Sequence, residues 1–272
     1  MDNKVGTFDR PRLDGAAIQG KLADIGCSWA QVIVRDQVTS TNDEVLDLRR
    51  QFGSSDVLVL AADEQVAGRG RLERSWSSPA GTCVAMSVAV PTQLLENLAL
   101  ELSALPLYVG LVVSRALEHL GCAVSIKWPN DLVTVDSDGQ LHKLGGILVQ
   151  LQDDVVVIGI GINVSLVEDE LPIPTATSLN LLGYAVSREE LIAYIVSELS
   201  GLAEGPTGNA WLDAYRTRCV TIGQRVRVTQ LANEYVEGAA SDVDSSGQLV
   251  VMTEGGLVSI SIGDVEHVRP VQ

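Results

Sequence analysis

Residues Val155 to Val164 read Val-Val-Val-Ile-Gly-Ile-Gly-Ile-Asn-Val, and they leave little choice of local structure. An apolar run of this length, rich in β-branched residues and holding two glycines, forms a strand rather than a helix. Lys143 to Val149 precedes it across a short gap and reads as its partner, with a hairpin turn at Asp136-Ser137-Asp138-Gly139 before that. Val57 to Ala62 and Thr82 to Val90 are further apolar runs of strand length, and Trp29 to Val38 alternates as a strand does. Helical patterns separate these strands. Asp14 to Ile25 is closed by Gly26, and Thr41 with Glu44 forms a capping box opening a helix that ends near Phe52-Gly53. Leu98 to Gly121 reads as one long apolar helix with Pro106 in its first turns. Ser187 with Glu190 caps a helix to about Ala203, and Asn209 to Cys219 makes one more. After Thr221 the period changes. Arg225–Thr229, Glu234–Val243, Gly247–Thr253 and Leu257–Ile262 alternate as short strands, which predicts a small all-β barrel. The chain is therefore expected to divide into residues 1–220 and 221–272.

Charge and composition remove whole classes of function. With 35 acidic against 19 basic residues the net charge is -16, so anionic membranes and non-specific nucleic acid repel the protein. Met-Asp-Asn-Lys-Val-Gly has no apolar core of a signal peptide, so no secretory signal is expected. Its most hydrophobic stretch, Leu98 to Leu120, is broken by Glu101, Pro106, Arg115 and Glu118, short of the about 18 apolar residues a membrane span needs. A cytoplasmic protein is expected. Cys27, Cys83, Cys122 and Cys219 are too scattered for a zinc or redox motif and read as buried thiols. The only histidines are His119 on a helix, His142 in a turn and His267 in the C-terminal tail. That argues against a Ser-His-Asp machine and a histidine metal site, and points the chemistry to Arg, Lys, Asn and Asp.

Those residue types fall in five places. Gln65-Val66-Ala67-Gly68-Arg69-Gly70-Arg71-Leu72-Glu73-Arg74-Ser75-Trp76 puts three arginines within six positions of an acidic chain, delivered by the strand ending at Ala62. Arginine is a permanently charged fork of donors, so the segment is suited to a phosphate or a carboxylate, although alone it reads first as a solvated loop and the case for function depends on the other segments. Lys127-Trp128-Pro129-Asn130-Asp131 places a lysine at a strand end and an Asn-Asp pair on the following turn. Lys143-Leu144-Gly145-Gly146 sets a cation beside backbone that something approaches closely. Asn163 is a lone polar residue that either closes its strand or meets a ligand, and Ser40-Thr41-Asn42 stands at a helix N-terminus whose free donors suit a polar ligand.

In order and spacing these motifs resemble the biotin–protein ligases, over Val38 to about Leu179 and again in the C-terminal strands. The resemblance implies an α/β (α+β) fold, with a mixed, class II synthetase-like central sheet backed by helices and a small SH3-like β-barrel after it. It implies a ligase that activates biotin with ATP to biotinyl-5'-AMP and passes biotin to one lysine of a biotin carboxyl carrier domain. It further implies the short form without a DNA-binding domain, which agrees with the lack of room for a helix-turn-helix before Trp29. Carried over residue by residue, Ser40, Thr41, Asn42, Gln65, Gly68, Arg69, Arg71, Lys143, Gly145 and Gly146 bind biotin. Arg71, Trp76, Lys127, Asn130 and Asn163 bind ATP, and the catalytic set is Arg71, Lys127, Lys143 and Asp131. Asp131 is the candidate for steering or deprotonating the acceptor amine. Magnesium is expected on the ATP phosphates with no dedicated protein site, and the chain is expected to be a monomer or weak homodimer that binds no DNA. One position departs from the pattern: Glu73 stands where the family loop often has glycine, which bears on how freely the loop closes. Lipoate–protein ligase chemistry and a non-catalytic biotin sensor are the competing readings.

Overall fold

In the computed structural model, which describes residues 10–52, 56–96, 98, 100–205, 208–230 and 234–268, the Val155 run is strand β8 (Val155–Asn163) at the middle of an eight-stranded sheet. Its companions are β1 (Gln31–Val38), β2 (Leu58–Arg69), β3 (Ser75–Ser78), β4 (Cys83–Pro91), β5 (Ser125–Lys127), β6 (Asp131–Val135) and β7 (Leu141–Gln152). The order is β1-β2-β4-β8-β7-β6-β5, with β3 paired to β2. Only β1 and β2 run parallel, so the sheet is mixed.

Side chains of β2, β4 and β8 alternate between two buried faces. One face carries Val59, Ala61, Val84, Met86, Val88, Ile158 and Ile160 into the main core. Helices α1 (Gly15–Ile25), α3 (Leu105–His119), α4 (Arg188–Leu199) and α6 (Ala210–Arg218) cover it, and α5 (Gly201–Glu204) follows α4. The opposite face carries Leu58, Leu60, Ala89, Val155 and Val157 under Val45 and Leu48 of α2 (Thr41–Phe52). Helix α2 spans only part of that face, and what it leaves open becomes the site.

Helix ends follow the local chemistry. Asp14 accepts from the Ala16 N–H at 2.8 Å, and Gly26 closes α1 at φ 79°, a left-handed position that favours glycine. Ser187 caps α4 by accepting from the Glu190 N–H. Helix α3 is shorter than its apolar stretch predicts: Leu102–Ala104 forms a separate 3-10 turn, and the helix starts at Leu105 with Pro106 in its first turn. The loose segment expected at the N-terminus lies outside the described residues as far as position 9, as does Gly53.

The C-terminal strands β9 (Arg225–Thr229), β10 (Tyr235–Val243), β11 (Leu249–Thr253), β12 (Gly256–Ile260) and β13 (Asp264–His267) form an antiparallel sheet in the order β12-β11-β10-β9-β13. His267, placed in a tail by the sequence, lies in β13, which pairs with β9. Four residues are too few to show alternation. His142 likewise lies in β7 rather than in the turn. The two sheets share one continuous core that includes Trp128, Tyr215, Val226, Ala240 and Val251. Trp128 is the peg between them: its indole Nε1 donates to the Gly247 carbonyl at 2.9 Å and its backbone N–H to Thr221 Oγ1 at 3.0 Å. Arg216 adds a fork onto Asp242 at 2.7 and 2.9 Å. All four cysteines are free, three of them buried and Cys27 half-buried.

Candidate active site

On the α2 side of the sheet, the residues that should fill the space beyond Val157 are Gly159 and Gly161, next to Ser87 on β4 and Gly146 on β7. The missing side chains leave a cavity of about 420 Å³. A Cβ at Gly159 would overlap the Asn42 amide, and one at Gly161 would stand 2.6 Å from the Trp76 ring. Two bare positions on one strand thus receive one polar and one aromatic side chain from elsewhere.

The cavity brings together Ser40, Thr41, Asn42, Gln65, Arg69, Arg71, Trp76, Lys127, Asn130, Asp131, Lys143, Gly146 and Asn163. Gly68 and Gly145 lie behind that lining. A Cβ on Gly68 would meet the Trp76 carbonyl at 2.6 Å and one on Gly145 the Gly161 carbonyl at 2.5 Å, so both serve close backbone approach. Among the lining residues to which the sequence reading gave no role are Gly159 and Gly161, Pro172 and Ile173, and Asp264, Val265 and Glu266 of β13. Nothing in the local pattern marks β13 as part of a site, because only the docking of the second sheet brings it there.

Thr41 does not cap α2 as expected. It is the first helical residue, and its N–H and hydroxyl donate to Gln65 Oε1 at 2.8 and 3.0 Å. The glutamine thereby satisfies a helix N–H that a cap would otherwise meet.

The arginine segment is also more ordered than a loop. β2 continues to Arg69 and pairs with β3, leaving only Arg71–Glu73 as a 3-10 turn at the tip, with Leu72 at φ 53°. Non-glycine residues occupy that left-handed region at a cost. Each arginine has a separate partner: Arg69 pairs with Asp43 in the first turn of α2, and Arg74 with Asp264 of β13. Arg71 donates to Asn130 Oδ1 at 3.2 Å. Burial pulls the Arg71 pKa below its ordinary value, while Asp264 and Asp131 oppose the shift.

Lys143 Nζ lies 2.6 Å from Asp131 Oδ1, and both are half-buried. Lys127 is held below the usual lysine range, chiefly by burial, with the Asp131 charge acting against it and Lys143 with it. His267 is forced down to about 4 by burial and then by Lys127, and its Nε2 is buried with no hydrogen-bond partner among the described residues. Asn130 Nδ2 donates to the Ile147 carbonyl at 2.9 Å. Asn163 Nδ2 donates to the Thr177 carbonyl at 2.8 Å, and the Cys83 thiol faces its Oδ1 at 3.7 Å, so this amide closes its strand as well as bordering the cavity.

Three buried or half-buried cations on one wall and a bare glycine floor suit a ligand with an anionic centre and a flat, compact end. Residues 34–165 match the Biotin/lipoate A/B protein ligase family and residues 221–268 the Biotin protein ligase C terminal domain. The chain is 34% identical over 267 residues to the biotin--[acetyl-CoA-carboxylase] ligase of Mycobacterium tuberculosis, covering 96% of this chain and 97% of that one. Among solved structures it is similar to the Aquifex aeolicus biotin protein ligase in complex with biotin and ATP, with a TM-score of 0.72 and 27% identity over 88% of this chain and 99% of that one. It is also similar to the Leishmania major enzyme in complex with biotinyl-5-AMP, with a TM-score of 0.60 and 25% identity over 88% and 98%.

Proposed function

The chain belongs to the biotin protein ligase family, and on that premise we propose how its residues divide the work. The protein is a ligase that activates biotin with ATP to biotinyl-5'-AMP and transfers the biotin to a carboxyl carrier protein. The observation that carries the division of labour is the convergence of Arg71, Lys127 and Lys143, from three separate segments, on one cavity.

In the first step the biotin carboxylate attacks the α-phosphorus of ATP and pyrophosphate leaves. The carboxylate is already ionised at pH 7, so this step requires orientation and charge neutralisation but no base. Arg71 faces the carboxylate and the α-phosphate, Lys127 the α-phosphate, and Lys143 the biotin end. Ser40, Thr41, Asn42, Gln65, Arg69 and Gly146 border biotin, with Gly68 and Gly145 holding the backbone behind them. Trp76, Asn130 and Asn163 border the adenylate. In the second step a carrier lysine attacks the carbonyl of the mixed anhydride, its nitrogen forms the amide and AMP departs. Asp131, which lines the cavity beside Lys143, is the candidate for steering or deprotonating that amine.

Magnesium fits this site as an ion carried on the ATP phosphates, where it would neutralise charge. No group of three or more His, Cys, Asp or Glu among the described residues could hold it alone, while Asp131, Asp264 and Glu266 line the same cavity. The division at Thr221, with a barrel after it, a cytoplasmic location, a monomer or weak homodimer and the absence of DNA binding belong to the same proposal. Supporting it are the net charge of -16 and the fact that no described helix is long and apolar enough to cross a membrane.

The decisive test is exchange of labelled pyrophosphate into ATP with biotin, lipoate or no acid. Exchange that depends on biotin is expected, and equal exchange with lipoate overturns the reading.

A further inference from the structure

Behind the lining lies a chain of polar groups that no step above uses. Ser87, fully buried on β4, stands 2.7 Å from Thr41 Oγ1 and 2.6 Å from Asn42 Oδ1. Asn42, also buried, turns its amide the other way and donates through Nδ2 to Gln150 Oε1 at 2.6 Å. Ser87 sits opposite Leu60 and Gly159, and Gln150 opposite Val157, so both point to the α2 face of the sheet, just beyond the cavity. Neither lines the cavity.

A serine in the middle of an otherwise apolar buried strand needs a partner, because an unsatisfied hydroxyl there is costly. Its partners are the two residues that open α2 at the cavity wall. The amide of Asn42 is thus gripped at both ends, its oxygen by Ser87 and its nitrogen by Gln150, and it lies where Gly159 leaves room for it. Thr41 in turn occupies Gln65 Oε1 with its N–H and hydroxyl. The Gln65 oxygen being engaged, its Nε2 donors are the part left for a ligand. A ligand's polar ring therefore meets a fixed pattern of donors and acceptors on this wall.

We infer that Ser87 and Gln150 are positioning residues for the polar ring end of biotin, acting through Thr41 and Asn42. This rests on the ligase reading and on biotin lying at the α2 end of the cavity. Biotin's ureido group carries two N–H donors and one carbonyl acceptor in a rigid ring, so a wall whose amides are free to flip recognises it poorly.

Gln150 is half-exposed at the sheet surface and can be changed with little risk to folding. Gln150→Leu removes the acceptor that fixes the Asn42 nitrogen. Gln150→Glu keeps an acceptor and cannot present a donor, so it preserves the orientation. Calorimetry with biotin alone and pyrophosphate exchange at saturating ATP are the readouts. The Leu variant should bind biotin about tenfold more weakly, with the KM for ATP unchanged at saturating biotin, while the Glu variant stays within about threefold of the parent. Ser87→Ala should repeat the Leu result, again with the KM for ATP unmoved. The inference fails if the Leu variant binds biotin as the parent does, if Leu and Glu weaken it equally, or if the KM for ATP rises with that for biotin. A parent protein that binds no biotin would instead remove the ligase reading, and this inference with it.

Discussion

Gly161 has no side chain because the Trp76 ring occupies the place where its Cβ would stand, at 2.6 Å from the ring carbon Cε2. Gly161→Ala should therefore displace the indole while leaving β8 paired with β4 and β7. The expected result is a rise in the KM for ATP of about tenfold or more, with a red shift of tryptophan emission and little change in biotin affinity; unchanged ATP kinetics would remove Trp76 from the adenylate side. His267 supports a prediction in pH. Its folded ring takes up a proton only near 4, against 6.5 in the unfolded chain. Between those values the unfolded chain holds more protons, so stability is present above about pH 6.5 and is lost as the pH falls towards 4. The ring is half-exposed and solvent screens part of the effect, which leaves about 1 to 2 kcal/mol. His267→Gln should flatten denaturation midpoints across that window, and an unaltered slope would show that other groups carry the acid sensitivity.

At the scale of elements, the arginine hairpin is tied at three points: to α2 by Arg69 with Asp43, to β13 by Arg74 with Asp264, and to the Asn130 turn by Arg71. The mutual repulsion expected of three neighbouring arginines is therefore relieved by partners in three other segments. A ligand that offers a phosphate and a carboxylate should compete for Arg71 and draw the tip over the cavity. Amide exchange across residues 66–75 should slow when biotinyl-adenylate binds. Arg71→Ala should both slow adenylate synthesis and let the intermediate escape to label bystander lysines; retention equal to the parent's, or exchange indifferent to ligand, would contradict this closure. The positions of Lys127 at a strand end and of Asn130 on a turn were legible in sequence because proline and strand-length runs act locally, whereas Asp131, expected on the same turn, opens β6 opposite Lys127. That β2 runs on through Arg69 was not, because its glycines read as a loop until β3 is seen paired to it. The Thr41 cap misled for a similar reason: the side chain that replaces it, Gln65, lies 24 residues away.

Across the whole molecule the main core runs without a break from α1 to the C-terminal sheet, through Trp128. The full chain should accordingly unfold in one cooperative transition. A chain ended before Thr221 would expose Trp128 and the neighbouring core, and should bind a hydrophobic dye and lose its near-ultraviolet signal; two separated transitions in the full chain would deny this continuity. The acidic balance acts at the same scale. With a net charge of -16, no sub-micromolar, sequence-dependent DNA complex should form at physiological salt in a mobility shift. Ser87 and Gln150 escaped the sequence because a single polar residue in a strand carries no periodic signal, and β13 escaped because its role depends on how the second sheet docks.

The bare face of β8 constrains how related chains can differ. Asn42 rests on Gly159 and Trp76 on Gly161, so each glycine is sterically one unit with a residue distant in sequence. Alanine at the second glycine becomes tolerable only where the indole has given way to a smaller ring, and at the first only where the amide has shortened or moved. In an alignment of relatives, positions 42 and 159 should vary together, as should 76 and 161, whereas the outward-facing residues of α2 drift independently.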